Sequence, residues 1–225
     1  MKDHRLILRN VGWVFIAVGA IDIVFMAYCI FIKVNYHSSF NIFAIIAGVF
    51  LLKGNLKAAR ILAWFTALSI AALIGNIVLM PFLYPVDLLL TSIKLGPVNS
   101  LVSAAVFLAG LVFSVWSYRE LTSEPVQLAI EGSNDNTMPF LRQPVRGFWI
   151  GGCLILIVAV FLHMLMSGAT AAQVKQRAAV QAGDGYKFHI KSINMSSNSR
   201  GKSTYAIVTA YNNVQIKDIV VQWSE

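Results

Sequence analysis

Five apolar runs separated by short polar stretches organise the first three quarters of the chain: Val11 to Ile32, about Tyr36 to Leu52, Ile61 to Leu83, Val98 to Ser117 and Phe148 to Met166. A helix needs roughly 17–25 mostly apolar residues to cross a bilayer. All five runs fit that length, the second being the shortest and opening on a polar Tyr-His-Ser-Ser. The pattern predicts five transmembrane helices. Between Pro85 and Gly96 the stretch VDLLLTSIKL predicts a short helix lying along the outer interface.

Past Met166 the pattern changes. AAQVKQRAAVQA, residues 171–182, is rich in helix formers and predicts that the fifth span continues outward as a stalk, ended by GDG at 183–185. Alternation then replaces the helical period. Tyr186, Phe188 and Ile190 alternate, as do Tyr205, Ile207, Thr209 and Tyr211, and then Ile219, Val221 and Trp223. SSNSRGKS and Asn212-Asn213 supply turns between these runs. The expected fold is therefore an α-helical polytopic membrane protein with five transmembrane helices. A small C-terminal extracytoplasmic α+β domain follows, with one helix and about three antiparallel strands. Residues 1–118 form a four-span block, 119–147 a cytoplasmic loop, 148–170 the fifth transmembrane helix and 171–225 the outer domain.

Composition agrees. The chain has 225 residues, of which 57% are hydrophobic and 12% charged. A soluble domain carries about 25% charged residues. Basic residues set the orientation. Lys2, Arg5 and Arg9 precede the first span, Lys53, Lys57 and Arg60 lie between the second and third, and Arg119, Arg142 and Arg146 between the fourth and fifth. The opposite short loops hold only Lys33 and Lys94. The positive-inside rule predicts a cytoplasmic N-terminus and, after five spans, a periplasmic C-terminus in a bacterial inner membrane. The net charge of +8 is split between two compartments, which argues against nucleic acid as a partner. The first span is too long for the apolar core of a cleaved signal peptide.

Catalytic patterns are missing. The sequence holds no H-E-x-x-H, G-x-S-x-G or Walker loop, and no C-x-x-C. Its two cysteines, Cys29 and Cys153, are expected at opposite ends of their spans, and the outer domain has none. The reading is of a protein that is not an enzyme, with no cofactor and no metal.

The chemistry that stands out is inside the spans. Asp22 is the only ionisable residue between Val11 and Ile32. A charge at mid-bilayer costs roughly 2.5–3.5 kcal/mol on insertion scales. Gly12 and Gly19 share a helical face with Asp22, and small residues let a second helix approach, so Asp22 is expected to face protein. Asn41, Ala44 and Gly48 form a similar face on the second span. Asn76, Ser103 and His163 put one polar group on each remaining span at a related depth. Asp22, Asn41, Asn76, Ser103 and His163 are thus a candidate intramembrane polar cluster, serving either as interhelical hydrogen bonds or as an ion or proton site. Arg142 and Arg146 are candidates for lipid head groups, or for anchoring the fifth span's inner end.

The outer domain is small, and three strands leave two unpaired edges. Ile207, Tyr211, Ile219, Val221 and Trp223 are its candidate partner-binding residues. Besides the lipid bilayer, the expected partner is an envelope protein or a second copy. The expected function is that of a non-enzymatic inner-membrane protein presenting a periplasmic domain. A small channel or transporter built on the polar cluster, and an immunity protein against a membrane-inserting toxin, are the alternatives.

Overall fold

The structure is a computed structural model describing residues 3–33, 41–133, 143–183, 185–198 and 201–224. The chain divides into two compact units, Met1–Leu73 with Ala109–Gly152 and Ile74–Leu108 with Cys153–Glu225.

The first unit begins with α1, His4–Phe31. Asp3 caps it, its carboxylate accepting from the Arg5 amide at 3.1 Å and satisfying one of the orphan donors of the first turn. α2, Asn41–Leu52, runs antiparallel to α1 and packs backbone to backbone against it. A Cβ on Gly48 would lie 2.6 Å from the Gly12 carbonyl, and one on Gly12 would lie 2.8 Å from the Gly48 carbonyl. The small-residue faces predicted on the first two spans are the faces that meet: Gly12, Gly19 and Ala44 are all buried. α3, Leu56–Leu83, and α5, Pro97–Leu121, run through both units.

The stretch predicted as a loop after the fourth span contains a helix. α6 covers Glu124–Gly132, entered through Ser123 with a proline in its first turn. Its Val126 and Ile130 join Leu121 against Ile7, Leu8 and Val11 of α1 in one buried cluster. The Arg60 guanidinium donates to the Ile130 carbonyl near the end of α6, at a long 3.5 Å. A cation suits a helix C-terminus, where carbonyls are unpaired. α7, Arg146–Ser167, shows a second close approach. Gly147 and Gly151, four residues apart, lie on α3; added Cβ atoms would meet the Trp64 carbonyl at 2.7 Å and the Ala71 Cβ at 2.8 Å.

Four helices are long and apolar enough to cross a membrane: His4–Phe31, Leu56–Pro81, Pro97–Leu121 and Arg146–Met164. α2 is apolar but has 12 residues, about 18 Å of helix against the roughly 30 Å of a hydrocarbon core. Residues 36–40 of the predicted second span lie outside the described residues.

The second unit holds the C-terminal domain. The predicted continuous stalk is corrected: α7 ends at Ser167 and α8, Ala169–Ala182, starts anew after Gly168, whose extended backbone (φ −75°, ψ 171°) interrupts the helix. The break has an energetic reason. A stalk in water would leave Ala171, Val174 and Ala178 exposed, whereas the separate α8 buries them on a sheet. Gly183, at φ +81°, ends α8 in a conformation that suits glycine.

The sheet comprises β1, Lys187–Asn198, β2, Gly201–Tyr211, and β3, Ile216–Ser224, in the order β1-β2-β3 and antiparallel throughout. The predicted turn at Asn212 is present: its Oδ1 accepts from the amides of Val214 and Gln215 at 2.9 and 2.8 Å. Register sets Ala206 opposite Val221 and Val208 opposite Ile219. With Ile190 and Trp223, these residues pack under α8. Arg177 lies 4.6 Å above the Trp223 ring and closes that side. Lys217 donates to the Ala182 carbonyl at 3.3 Å and lies 4.2 Å from the Tyr186 ring, which ties the end of α8 to the start of β3.

Candidate functional site

The sheet face away from α8 carries the polar chemistry of the second unit. Alternation puts Lys187 and His189 of β1 there, paired with Tyr211 and Thr209 of β2. Against them come α4, Val86–Leu95, and the turn leading into it. α4 is the short helix predicted between Pro85 and Gly96, and Pro85 supplies its N-terminal boundary. Its first-turn Asp87 forms an ion pair with Lys187. That partner raises the Lys187 pKa, through hydrogen bonding and then charge. Tyr84 packs its ring on His189, with centroids 5.1 Å apart at 44°. On the same face Asp218 accepts from Lys191 at 2.6 Å and from the Thr209 hydroxyl at 2.9 Å. Burial opposes ionisation of Asp218, but these two hydrogen bonds and the Lys191 charge outweigh it and hold the carboxyl below its usual range.

Beside the Tyr84–His189 contact is a cavity of about 220 Å³. Pro81, Tyr84 and Pro85 line it from the end of α3, His163 from α7, Lys175 from α8, and His189 from β1. His189 is buried. Burial, then the charges of Lys175 and Lys191, push its pKa below the ordinary value. The lining offers imidazole nitrogens, an ammonium and a phenol, with no carboxylate among the described residues. It is a place of hydrogen-bond donors and positive charge, without a nucleophile poised by a base.

The depressed His189 pKa has a pH consequence. The unfolded side chain takes up its proton near pH 6.5 and the folded one at lower pH. The unfolded state therefore binds more protons as pH falls through 6.5, and folding weakens until the folded pKa is passed. Hydrogen-exchange protection of β1 and β2, corrected for intrinsic rates, is expected to fall between pH 7.5 and 5.5. His189→Gln is expected to flatten most of that fall, and an unchanged slope in this variant would show that another group controls it.

Of the predicted polar cluster, His163 is the member found in this cavity. Asp22 is half-buried on α1 and belongs, with Asn41, to the first unit. Asn41 opens α2, and its side chain lies outside the described residues. Asn76, Ser103 and His163 belong to the second unit. Asn76 is exposed, and the Ser103 hydroxyl donates to the Asn99 carbonyl of its own helix at 2.8 Å. Arg142 lies outside the described residues, while Arg146 opens α7 with its Nε donating to Gln143 Oε1 at 2.9 Å.

The candidate partner residues divide between two faces. Val221 and Trp223 are buried beneath α8 with Ile219 packed beside them, whereas Ile207 and Tyr211 lie on the opposite face. His189 and Lys175 were missed as site residues by the sequence reading. The available signal was alternation: Phe188 and Ile190 facing α8 leave His189 facing away.

No known protein family, curated protein or solved structure matches this chain. Among the described residues no group of three or more histidine, cysteine or carboxylate side chains could hold a metal ion, and both cysteines are free thiols.

Proposed function

We propose that this chain is a non-enzymatic protein of a bacterial inner membrane that presents its C-terminal domain, in the periplasm, to an envelope partner or to a second copy of itself. The observation that carries the reading is the asymmetry of the sheet's two edges. β1 has a register shift between Ile190 and Ser192, with Lys191 inside it and Lys187 three residues before it. Bulges and lysines are what proteins use to blunt an edge. β3 pairs with β2 without interruption from Ile216 to Ser224 and shows no such shift. Its outer side carries backbone donors and acceptors that an added strand would satisfy.

The arrangement of α1 and α2 supports opposite sides for the two termini. α2 is short, yet its last residues lie beside Gly12, so by Leu52 the chain has returned to the level from which α1 rose. That return supports reading α1 and α2 as two crossings. With α3, α5 and α7, this reading counts five crossings.

A phosphatase reporter that works only in the periplasm, fused after Glu225, is expected to be active. Affinity purification of the full chain in detergent is expected to yield one stoichiometric partner, or a homo-oligomer. A chain truncated before Tyr186 is expected to stay inserted and lose that association. A silent phosphatase, or undiminished association by the truncated chain, would sink the proposal.

A further inference from the structure

The ionisable side chains that line the cavity between α3, α7, α8 and β1 are Lys175, His163, His189 and the phenol of Tyr84, and the described carboxylates of the neighbouring sheet face are already committed. Asp87 is paired with Lys187, and Asp218 with Lys191 and Thr209. Lys175, His163 and His189 line the cavity with no carboxylate partner and no hydrogen bond from their side chains among the described residues. Placing the Lys175 charge and the imidazole donors around a space, while the described carboxylates nearby are paired elsewhere, leaves an uncompensated positive potential there. An anion would complete it.

Position narrows the anion. Pro81 lies in the last turn of α3, which ends at Leu83, and His163 lies four residues before the end of α7 at Ser167. Both line the cavity. The space therefore opens within about a turn of the ends of two apolar helices, beside the polar domain, which is the depth of lipid head groups. Its volume of about 220 Å³ has room for a phosphate with a small substituent. Imidazole and ammonium groups recognise phosphate oxygens by charge-assisted hydrogen bonds.

We propose that this cavity is a binding site for a phosphate group, and that its natural occupant is the head group of an anionic phospholipid. Lys175 supplies the fixed charge. His189 and His163 supply ring N–H donors, and Tyr84 holds the His189 ring in place from behind. The groups that face His189 are Tyr84, His163, Lys175 and Lys191. A phosphate seated among them offsets the two lysines, so His189 takes up its proton at higher pH in the loaded protein than in the empty one.

Native mass spectrometry of the full, delipidated chain in detergent tests this with phosphatidylglycerol and phosphatidylcholine of matched acyl chains. The expected result is selective retention of phosphatidylglycerol. Lys175→Gln is expected to weaken it about tenfold, the size of one lost charge-assisted hydrogen bond. Lys175 is exposed on α8, so this variant is expected to fold as the parent does. Lys94→Gln, which removes the same charge from α4 outside the cavity lining, is expected to leave retention unchanged. Inorganic phosphate separates the two sources. If it moves the His189 imidazole resonance and displaces the lipid, the ligand is a free phosphate and the phosphate site stands. If it does neither while phosphatidylglycerol is retained, the ligand is the head group. Equal retention of the two lipids with no response to inorganic phosphate, or an equal loss from Lys94→Gln and Lys175→Gln, overturns the proposal.

Discussion

Val174→Asp is expected to unfold the C-terminal domain while leaving the apolar helices inserted. Val174 has no exposed surface; it lies between Ala171 and Ala178 on α8 and packs in one cluster with Ile190, Val208 and Val221. A carboxylate there is buried without a partner, and a buried unpaired charge costs several kcal/mol. Domains hold about 0.05–0.15 kcal/mol per residue, so one of about 55 residues has roughly 3–8 kcal/mol to lose. The substitution removes most or all of it. Val180→Asp is the control, since Val180 is 83% exposed on the same helix. Hydrogen exchange is expected to show β1, β2 and β3 unprotected in Val174→Asp and protected in Val180→Asp. Equal protection in the two variants would mean that the α8 face does not hold the sheet.

Gly48→Leu is expected to have the second large effect, this time in the first unit. Even a single Cβ at position 48 would lie 2.6 Å from the Gly12 carbonyl and 2.6 Å from the Ile16 side chain. Ile16 can turn away, but the carbonyl belongs to α1's backbone and moves only if the helices separate. Forcing atoms into a packed contact costs about 1–3 kcal/mol for small additions, and the four-carbon side chain of leucine exceeds that. Separation also disturbs Leu8, Val11 and Phe15, which belong to the same buried cluster as Ala44 and Leu51. Gly110 offers a comparison, because a Cβ there meets nothing within 4 Å. Gly110→Ala is expected to be neutral or slightly stabilising through helix propensity. Thermal melts followed by size exclusion in detergent are expected to place Gly48→Leu well below the parent chain and Gly110→Ala level with it. A Gly48→Leu chain as stable as the parent would refute the backbone-to-backbone contact between α1 and α2.

Much of the architecture is legible along the chain because its signals are local. Hydropathy over about twenty residues marks five apolar runs, and four of them are helices long enough to cross a membrane, since the cost of leaving such surface in water does not depend on which helix is the neighbour. Pro85 and Gly96 bound α4, and Gly183 ends α8, because backbone conformation is set by those residues themselves. Alternation and the Asn212 turn give the three strands in their antiparallel order. The glycine and alanine faces of α1 and α2 were also readable, because a surface with no side chains favours close approach.

Tertiary structure decided what depends on a partner distant in sequence. TYAIVTAY is apolar on both faces, so alternation alone does not say which face is the inner one. Register with Val221 and Trp223 and the arrival of α8 select Ala206, Val208 and Ala210, and turn Ile207 and Tyr211 away. α6 became visible only once α1 supplied Ile7 and Leu8 for Val126 and Ile130 to cover. The candidate cavity divides the same way. His163 was noticeable as the lone histidine of an apolar run, a local anomaly. Nothing local connects it to Lys175 or His189, which lie 12 and 26 residues further on in different elements. Their meeting depends on the break at Gly168 and on the end of α3 reaching β1. A sequence period reports how one segment divides its own surface; which segments then share a surface is set by packing between them.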